Sequence, residues 1–253
     1  MALKSLTSRG LVLYDRAYRE EDRLVKIFTE QAGKHMFFVK NLPKSRLSSA
    51  LRPLTIARYN CKINDSGLSY LDDYSKRETF KRINQDIFKL AHASYLTALA
   101  DSAIADGEVD APLFAFLVKM LELMEEGLDE GVLTLIYEIQ LLSRFGVSLD
   151  FSQCVFCHRR GEAFDFSFKY SGVLCPRHYH EDINRSHLNP NVPYLLAEFQ
   201  AIALDRLREI QLGEVIKKEL RQFMDELYEN YVGLHLKSKH FLDGLGNWGD
   251  IMK

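Results

Sequence analysis

The hydrophobic pattern of this chain changes its period near residue 80, and no other feature constrains the fold as strongly. Before that point, apolar residues occur in short runs bounded by turn residues, and residues 54–63 alternate as a half-buried strand does. We predict strands at residues 9–14, 23–29, 34–40, 54–63 and 68–74. Five short strands in so short a stretch suit a small closed barrel such as the OB-fold.

After residue 80, apolar residues recur at the spacing of helices. Three stripes cover residues 88–99, 113–124 and 133–141, and two more helices are predicted at 192–210 and 213–237. The second stripe begins at Asp110-Ala-Pro112 with Pro in the first turn, and the third ends at Gly146, which suits a C-cap. The chain is therefore predicted to be α+β, with an OB-fold β-barrel domain at 1–79 and a mainly α-helical domain at 80–253.

The two predicted domains differ in charge. Residues 1–82 contain 17 Lys and Arg but 9 Asp and Glu, a balance of +8, and the net charge of -2 leaves -10 for the remainder. A basic module beside an acidic one indicates that the first meets a polyanion and the second does not. The alternative is an ordinary drift of charge along the chain.

The sequence contains no sign of export or of membrane insertion. Its first residues lack the apolar core of a signal peptide, and no run approaches the roughly 20 apolar residues of a membrane helix. We therefore expect a cytoplasmic protein without membrane contact. In that compartment, four cysteines indicate metal ligands or buried thiols rather than disulfides.

Three of the four cysteines belong to two knuckles of equal spacing. Cys154 and Cys157 form the first knuckle, and Cys175 and His178 form the second, which gives the pattern C-x2-C-x17-C-x2-H. Two intervening residues let both side chains of a knuckle converge on one tetrahedral Zn²⁺. We predict a zinc-finger-like insertion at residues 150–190, with structural Zn²⁺ as its cofactor.

The fourth ligand and the remaining cysteine are less constrained. His180 follows two residues after His178, and His158 directly follows the first knuckle, so both are alternatives. Instead of a metal site, the chain could contain ordinary buried thiols beside an exposed histidine. Cys61 lies far away in sequence on a predicted strand, where we expect it in the core.

No catalytic pattern accompanies the knuckles. Four protein ligands leave no open position for an activated water, and the chain lacks the upstream His-x-Glu of zinc deaminases. It also lacks a phosphate loop, a nucleophile elbow and a His-Glu-x-x-His motif. The acidic pairs 125–126 and 129–130 are expected to be solvated surface between helices. We therefore expect no enzyme, with a metal-dependent hydrolase as a distant alternative.

One stretch of the basic module contains four cations and no acid. Lys40, Lys44, Arg46 and Arg52 lie in the connection after the third predicted strand, where an OB-fold has a variable loop or helix. Cations on such a mobile loop neutralise phosphates without reading bases. We therefore expect binding to nucleic acid of any sequence, weakened by salt.

The rest of the module supplies weaker candidates. Arg9, Arg23 and Lys26 lie on predicted strands as further phosphate contacts. Several aromatic residues are available to stack on unpaired bases, although about half of them must belong to the core. These aromatic residues are Phe37, Phe38, Tyr59, Tyr70 and Tyr74. Residues 76–77 and 81–82 form a second basic cluster.

Several motifs, in order along the chain, resemble those of the bacterial recombination mediator RecO family. The N-terminal motifs are Gly10-Leu-Val-Leu, Glu20-x-Asp22-Arg-Leu, Phe28-Thr-Glu-x-x-Gly33-Lys34 and a basic loop ending in Leu51-x-Pro53. The later motifs are Tyr137-Glu138-x-x-Leu141-Leu142-x-x-Phe145-Gly146 before the knuckles, and Tyr231-x-x-x-His235-Leu-Lys237-Ser-Lys239. Their common order and spacing are more specific than any single motif.

This resemblance implies an OB-fold, a helical domain and a zinc finger, without enzymatic turnover. It implies binding to single- and double-stranded DNA, annealing of complementary strands, and action with RecR and often RecF. It further implies that such proteins help RecA displace single-strand-binding protein, whose acidic C-terminal tail docks on them. The acidic body of this chain would then recruit protein partners.

The chain departs from the family pattern at two positions. Asn41 stands where relatives often have Gly, and Asn also accepts left-handed backbone. His178 stands where the fullest zinc fingers of the family have a fourth Cys. The implied function is a nucleoid-associated mediator of DNA recombination and repair. The alternative is an RNA-binding or translation-associated OB-fold protein with a structural zinc knuckle, which would prefer RNA through its 2′-OH groups.

Overall fold

A computed structural model describes residues 3–64, 67–207 and 210–251, and its N-terminal part is a five-stranded sheet. The strands are β1 (Lys4–Ala17), β2 (Arg23–Thr29), β3 (Gly33–Val39), β4 (Thr55–Ile63) and β5 (Tyr70–Thr79). They are ordered β3-β2-β1-β4-β5, and each neighbouring pair is antiparallel. All five predicted strands are present, although β1 begins at Lys4 rather than at residue 9.

The sheet closes on itself between β3 and the residue that precedes β5. Phe37 forms a parallel bridge with Ser69. The Phe38 amide donates to the Ser69 carbonyl at 3.0 Å, and the Ser69 amide donates to the Met36 carbonyl at 2.9 Å. These bonds satisfy backbone groups that an open edge would leave unpaired. The closed five-stranded arrangement confirms the predicted OB-like fold.

The interior of the barrel is filled by alternate residues of its strands. On β3, Phe37 and Val39 belong to the buried core, whereas Phe38 between them points outward and is half-buried. Tyr59 and Cys61 fill the core from β4. Burial raises the pKa of the Cys61 thiol to about 12, and the charge of Asp72 acts in the same direction. Cys61 is therefore a neutral core residue, as predicted.

Seven helices follow the sheet within the described residues. They are α1 (Lys81–Gln85), α2 (Ile87–Ala103), α3 (Ala111–Glu126), α4 (Glu130–Leu141), α5 (Asn191–Ala201), α6 (Glu214–Tyr231) and α7 (Lys237–Ile251). Asp110 caps α3 by accepting the Leu113 amide at 2.8 Å, and Pro112 lies in the first turn. A short 3-10 turn after α4 ends at Gly146 with φ of 77°. Both predicted helix signals are confirmed.

Three details of the helical half differ from the sequence prediction. α5 ends at Ala201 rather than at residue 210, α6 ends at Tyr231 rather than at residue 237, and α7 was not predicted. The acidic pairs are more than solvated surface. Glu125 accepts the amides of Arg82 and Ile83, both at 3.0 Å, at the start of α1. Asp129 caps α4 by accepting the Val132 amide at 3.0 Å.

The chain forms two compact units. The first contains residues 1–127 and 236–253, and thus the barrel with α1, α2, α3 and α7, which packs on α2. The second contains residues 128–235, with α4, α5, α6 and the cysteine knuckles. A domain boundary at 79/80, where the sheet ends, stays a prediction. No helix in the described ranges is both long and apolar enough to cross a membrane.

Two lysines of the barrel are buried and neutralised by aspartates. The Lys34 side chain is 2% exposed, and its Nζ lies 2.9 Å from Asp101 Oδ1 near the end of α2. The Lys26 side chain is 4% exposed and pairs with Asp106 in the segment after α2. Burial acts to raise the pKa of Asp106, but the hydrogen bond from Lys26 and the nearby Lys34 lower it. Because an unpaired buried ammonium is costly, these pairs hold the segment after α2 against the barrel.

Removing both carboxylates tests this attachment. In Asp101→Asn/Asp106→Asn, two buried ammonium groups lose their counter-ions, so we expect the free energy of unfolding at neutral pH to fall by about 3 kcal/mol or more. Urea unfolding followed by circular dichroism measures the change. Adding Lys26→Met and Lys34→Met should restore most of the stability, because no unpaired charge is then buried.

The same pairs predict a pH dependence. Because the pKa of Asp106 is lowered in the folded chain, its pairing contributes stability above the ordinary carboxyl pKa of about 4 and loses it as the pH falls through the lowered value. The stability difference between wild type and Asp106→Asn should therefore shrink in acid. A difference that stays constant down to about pH 3 would contradict this account.

Candidate metal centre and nucleic-acid interface

The two knuckles bring their four predicted ligands together. The ligand atoms of Cys154, Cys157, Cys175 and His178 all lie within 4.8 Å of one another. Cys157 Sγ and Cys175 Sγ are 3.7 Å apart, and His178 Nδ1 lies 3.5 Å from Cys154 Sγ and 3.3 Å from Cys175 Sγ. All three cysteines are free thiols.

These separations fit a tetrahedral metal ion. Zn–S bonds of about 2.3 Å and Zn–N bonds of about 2.0 Å place neighbouring ligand atoms of a tetrahedron roughly 3.5–3.8 Å apart. The three separations given above, 3.3–3.7 Å, are close to these edges, and all four ligand atoms lie within 4.8 Å of one another. Three thiols and one imidazole are also the ligand types that zinc takes in structural sites. The cluster is therefore compatible with a closed, four-coordinate metal site.

Backbone hydrogen bonds shape both knuckles. The His158 amide donates to the Cys154 carbonyl at 2.9 Å, and the His178 amide donates to the Cys175 carbonyl at 2.8 Å. Burial acts to raise the pKa of the Cys154 thiol, but backbone amides, first that of Cys157, donate to its sulfur and lower the pKa to about 6. The backbone thus favours the thiolate, the form that binds metal.

The two alternative histidines lie outside the cluster. The His180 side chain is 71% exposed, and its Nε2 lies 3.3 Å from Glu181 Oε1. His158 is exposed and adopts a left-handed conformation with φ of 55° as the chain leaves the first knuckle. Both histidines are therefore available to solvent, and among the described residues only His178 completes the set of ligands.

The rest of the insertion contains little regular structure. Its strands β6 (Asp165–Ser167) and β7 (Gly172–Leu174) form a two-stranded sheet. The buried Asp165 carboxylate accepts the His187 amide at 3.1 Å and lies 2.8 Å from Arg185 Nε. The Val155 amide donates to the Val173 carbonyl at 3.0 Å, which joins the first knuckle to β7.

The basic loop, defined as residues 40–52, is anchored rather than mobile. Leu47, Ala50 and Leu51 are buried in the core of the barrel. The Tyr59 hydroxyl donates to the Ala50 carbonyl at 2.5 Å. Asn41 has φ of 47°, so the predicted left-handed backbone is confirmed. The expectation of a mobile loop is therefore wrong, because its apolar residues complete the barrel core.

The four cations of the basic loop remain on its surface. Lys40 and Arg52 are exposed, and the Lys44 side chain is 74% exposed with its Nζ 3.6 Å from Glu21 Oε2. Arg46 is exposed and donates to the Asp72 carbonyl at 2.5 Å. Buried neighbours thus hold an exposed basic surface in place.

Arg52 also lines a groove beside the start of α1. The cations that line this groove are Arg52, Arg77 and Lys81, and no carboxylate occurs among the described residues that line the groove. The Arg77 guanidinium donates to the Ser49 carbonyl at 3.2 Å, which connects the groove to the basic loop. The second basic cluster of the sequence therefore contributes to the same positively charged surface.

The three weaker cation candidates are engaged by acids. Arg9 lies 3.2 Å from Glu78 and 3.7 Å from Glu122. Arg23 lies 3.7 Å from Asp15. Lys26 is buried against Asp106, as described above, so its ammonium is not available to a phosphate in this structure. The exposed cations of the basic loop are better placed than these three.

The structure also separates the candidate aromatic residues. Phe37 and Tyr59 are fully buried in the core, and Tyr74 is half-buried with its hydroxyl 2.9 Å from Ser49 Oγ. Phe38 and Tyr70 lie on the outer face, where Tyr18 joins them. Sequence reasoning missed Tyr18, although its position in the turn after β1, next to Arg19, was the available signal.

Comparisons with known proteins agree along the whole chain. Residues 1–80 match the family model described as Recombination protein O N terminal, and residues 84–240 match Recombination protein O C terminal. The chain belongs to the recombination protein O family. A curated relative from Streptococcus sanguinis, called DNA repair protein RecO, is 62% identical over 251 residues, which cover 99% of this chain and 98% of the relative.

Two further relatives with the same name support this membership. The protein from Streptococcus pneumoniae is 61% identical, with 99% of this chain and 98% of the relative covered. The protein from Streptococcus gordonii is 59% identical, with 99% and 96% covered. The resemblance drawn from the sequence motifs is confirmed, and family membership supports a role in DNA recombination and repair.

Proposed function

We propose that this chain is a DNA-binding recombination mediator that anneals complementary single strands and acts without enzymatic turnover. The observation that carries the proposal is the basic loop: an exposed row of cations held on an OB-like barrel by its own buried residues. The chain would act in the cytoplasm at the nucleoid. Membership in the recombination protein O family favours DNA over the RNA that the alternative function requires.

The binding mechanism is electrostatic. Lys40, Lys44, Arg46 and Arg52 contact backbone phosphates and release the counter-ions condensed on DNA. The pair between Lys44 and Glu21 is exposed, and such pairs contribute at most about 1 kcal/mol, so a phosphate can replace the carboxylate. Because phosphates carry no sequence information, two complementary strands are held without preference for their sequence until their bases pair.

The acidic helical body has a separate role in the proposal. It recruits RecR and RecF, while the acidic C-terminal tail of single-strand-binding protein docks on the chain. The mediator thereby helps RecA load on coated DNA. The charge division supports protein partners rather than DNA for this body, since the -10 portion of the chain is unsuited to a polyanion.

We further propose that Zn²⁺ occupies the Cys154, Cys157, Cys175 and His178 site in a structural role. The three thiolates and the imidazole would hold the metal, and the metal would join two knuckles that few backbone hydrogen bonds connect. A closed set of four protein ligands leaves no position for a substrate. The metal therefore stabilises the insertion and takes no part in a reaction.

Metal analysis tests this assignment. We expect about one zinc per purified chain, and Cys154→Ser or His178→Ala should lose most of it because each removes one of four ligands. His180→Ala is the matched control and should retain zinc. Zinc content and the thermal unfolding midpoint, with and without chelator, are the measurements. Zinc retained by His178→Ala and lost by His180→Ala would overturn the ligand set.

Charge reversal in the basic loop tests DNA binding. Lys44→Glu/Arg46→Glu should weaken binding to single strands of any sequence, because two phosphate contacts are lost. The slope of log affinity against log salt should fall by about 1.4 for single strands. Fluorescence anisotropy with labelled oligonucleotides over a range of salt concentrations measures both quantities.

The matched control for charge is Arg160→Glu/Lys218→Glu, which reverses two exposed cations of the second compact unit. It should bind DNA as wild type does. Unchanged affinity and salt slope in Lys44→Glu/Arg46→Glu would remove the basic loop from the DNA site. A matched RNA strand that binds more tightly than DNA would favour the alternative, RNA-binding function.

Strand annealing tests the mediator role. We expect the chain to anneal complementary oligonucleotides coated with cognate single-strand-binding protein. Annealing should fall when the coating protein lacks its acidic C-terminal tail, because docking is then lost. Annealing of uncoated strands is the control and should not change. An absence of annealing in every condition would contradict the proposal.

A further inference from the structure

Three aromatic side chains meet on the outer surface of the barrel. The rings of Tyr18 and Phe38 have centroids 5.9 Å apart, and those of Phe38 and Tyr70 are 6.4 Å apart, both in edge-to-face geometry. Tyr18 is 46% exposed and Tyr70 is 43% exposed. We name these three residues the aromatic cluster. It leaves ring surface open to solvent beside a barrel whose core is already filled by other side chains.

The fold explains why these rings meet. Phe38 points outward because Phe37 and Val39, its neighbours on β3, fill the core. Tyr70 points outward because the next residue of β5, Leu71, packs against the core. The backbone bonds between Ser69 and β3 then place the two outward side chains side by side.

The basic loop is attached on both sides of the aromatic cluster. At its beginning, the Asn41 amide donates to Asp22 at 2.9 Å, in the turn that also carries Tyr18. Farther along, Arg46 donates to the Asp72 carbonyl, and Asp72 shares an outer face of β5 with Tyr70, two residues before it. The loop is thus attached, at Asn41 and at Arg46, to residues that flank the exposed rings.

Two more features of the aromatic cluster favour the binding of a ligand that has both negative charges and flat rings. The Arg19 guanidinium lies 5.3 Å from the centroid of the Tyr18 ring, which adds a cation to the cluster. The Asp72 carboxylate is neutralised by Lys62 at 2.8 Å. Exposed aromatic rings beside cations are the combination that proteins use to bind single-stranded nucleic acid.

We propose that Tyr18, Phe38 and Tyr70 form a stacking platform for unpaired bases of single-stranded DNA, whose phosphates contact the adjacent basic loop. This inference rests on the proposed function and deepens it. In a duplex, the faces of the bases are covered by their neighbours, so the rings cannot stack on them. The aromatic cluster therefore makes this module prefer single strands, whereas the basic loop binds both forms.

Truncation of the two exposed rings tests the platform in the full chain. Tyr18→Ala/Tyr70→Ala should lose about 30-fold or more in affinity for a single-stranded oligonucleotide, since stacking on each ring is lost. Affinity for a duplex of the same length and the slope of affinity against salt should not change. Tyr18→Phe/Tyr70→Phe retains the rings and should bind as wild type. Tyr194→Ala, which truncates another exposed tyrosine (61%), is the matched control.

An abasic strand tests the same idea without mutation. An oligonucleotide that keeps every phosphate but lacks bases in its central residues should bind wild type more weakly than the intact strand. The Tyr18→Ala/Tyr70→Ala variant, which lacks the two rings, should bind the abasic strand and the intact strand with equal affinity. Equal binding of both strands by wild type, together with a normal salt slope, would overturn the platform and leave the phosphate contacts of the proposed function intact.

Other outcomes separate the remaining explanations. An equal loss of single-strand and duplex affinity in the alanine variant would show a structural role for the rings and overturn the platform. Unchanged single-strand affinity with lost binding of single-strand-binding protein would assign the cluster to a protein partner, which also overturns it. If wild type binds no DNA at all, the proposed function itself fails. Urea unfolding of each variant shows whether the barrel is folded.

Discussion

The backbone bonds between Ser69 and β3 close the barrel, and the surface proposed to meet DNA depends on that closure. Without them, β3 and β5 would be the two open edges of the sheet. With them, Phe38 and Tyr70 become neighbours on the outer face, and the basic loop spans from the end of β3 to the side of β5. One parallel bridge therefore assembles aromatic and cationic groups that lie far apart in sequence.

The anchoring of the basic loop gives its cations a physical advantage. A mobile loop would lose conformational entropy on binding, whereas a loop with Leu47, Ala50 and Leu51 in the core is ordered already. On binding, only the long side chains of the lysines and arginines then lose conformational freedom. The same residues contribute to folding, so the loop cannot change conformation without opening the barrel core. This coupling favours a binding surface that is already formed in the free protein over one that forms only on binding.

Local patterns predicted most of the strands and helices, and contacts distant in sequence account for the failures. Lys26 is predicted from the sequence as a phosphate contact, and because its neighbours Val25 and Ile27 fill the core, its side chain points to the outer face of the strand. That face is in fact covered, as the edge-to-face contact of Phe28 with Phe114 of α3 also shows. Nothing near Lys26 in sequence reveals the aspartate that neutralises it. The basic loop was likewise located correctly but thought mobile, because its buried leucines look like any apolar residues of a loop.

The Cys/His cluster was predictable for the opposite reason, since its residue types occur at short, regular spacings in the sequence. Each x2 interval brings two ligands together within one turn, and only the approach of the two knuckles depends on the fold. The insertion around them has strands of only three residues and 3-10 turns, although Phe166, Val173 and Leu174 of those strands are buried. Small segments of this kind are ordinarily stapled by a metal or a disulfide, and here the sulfurs of Cys157 and Cys175 are 3.7 Å apart, close to the edge of a tetrahedral site and far beyond the length of a disulfide bond. The geometry therefore favours a metal as the staple, and a structural staple explains four protein ligands where a catalytic site would need only three.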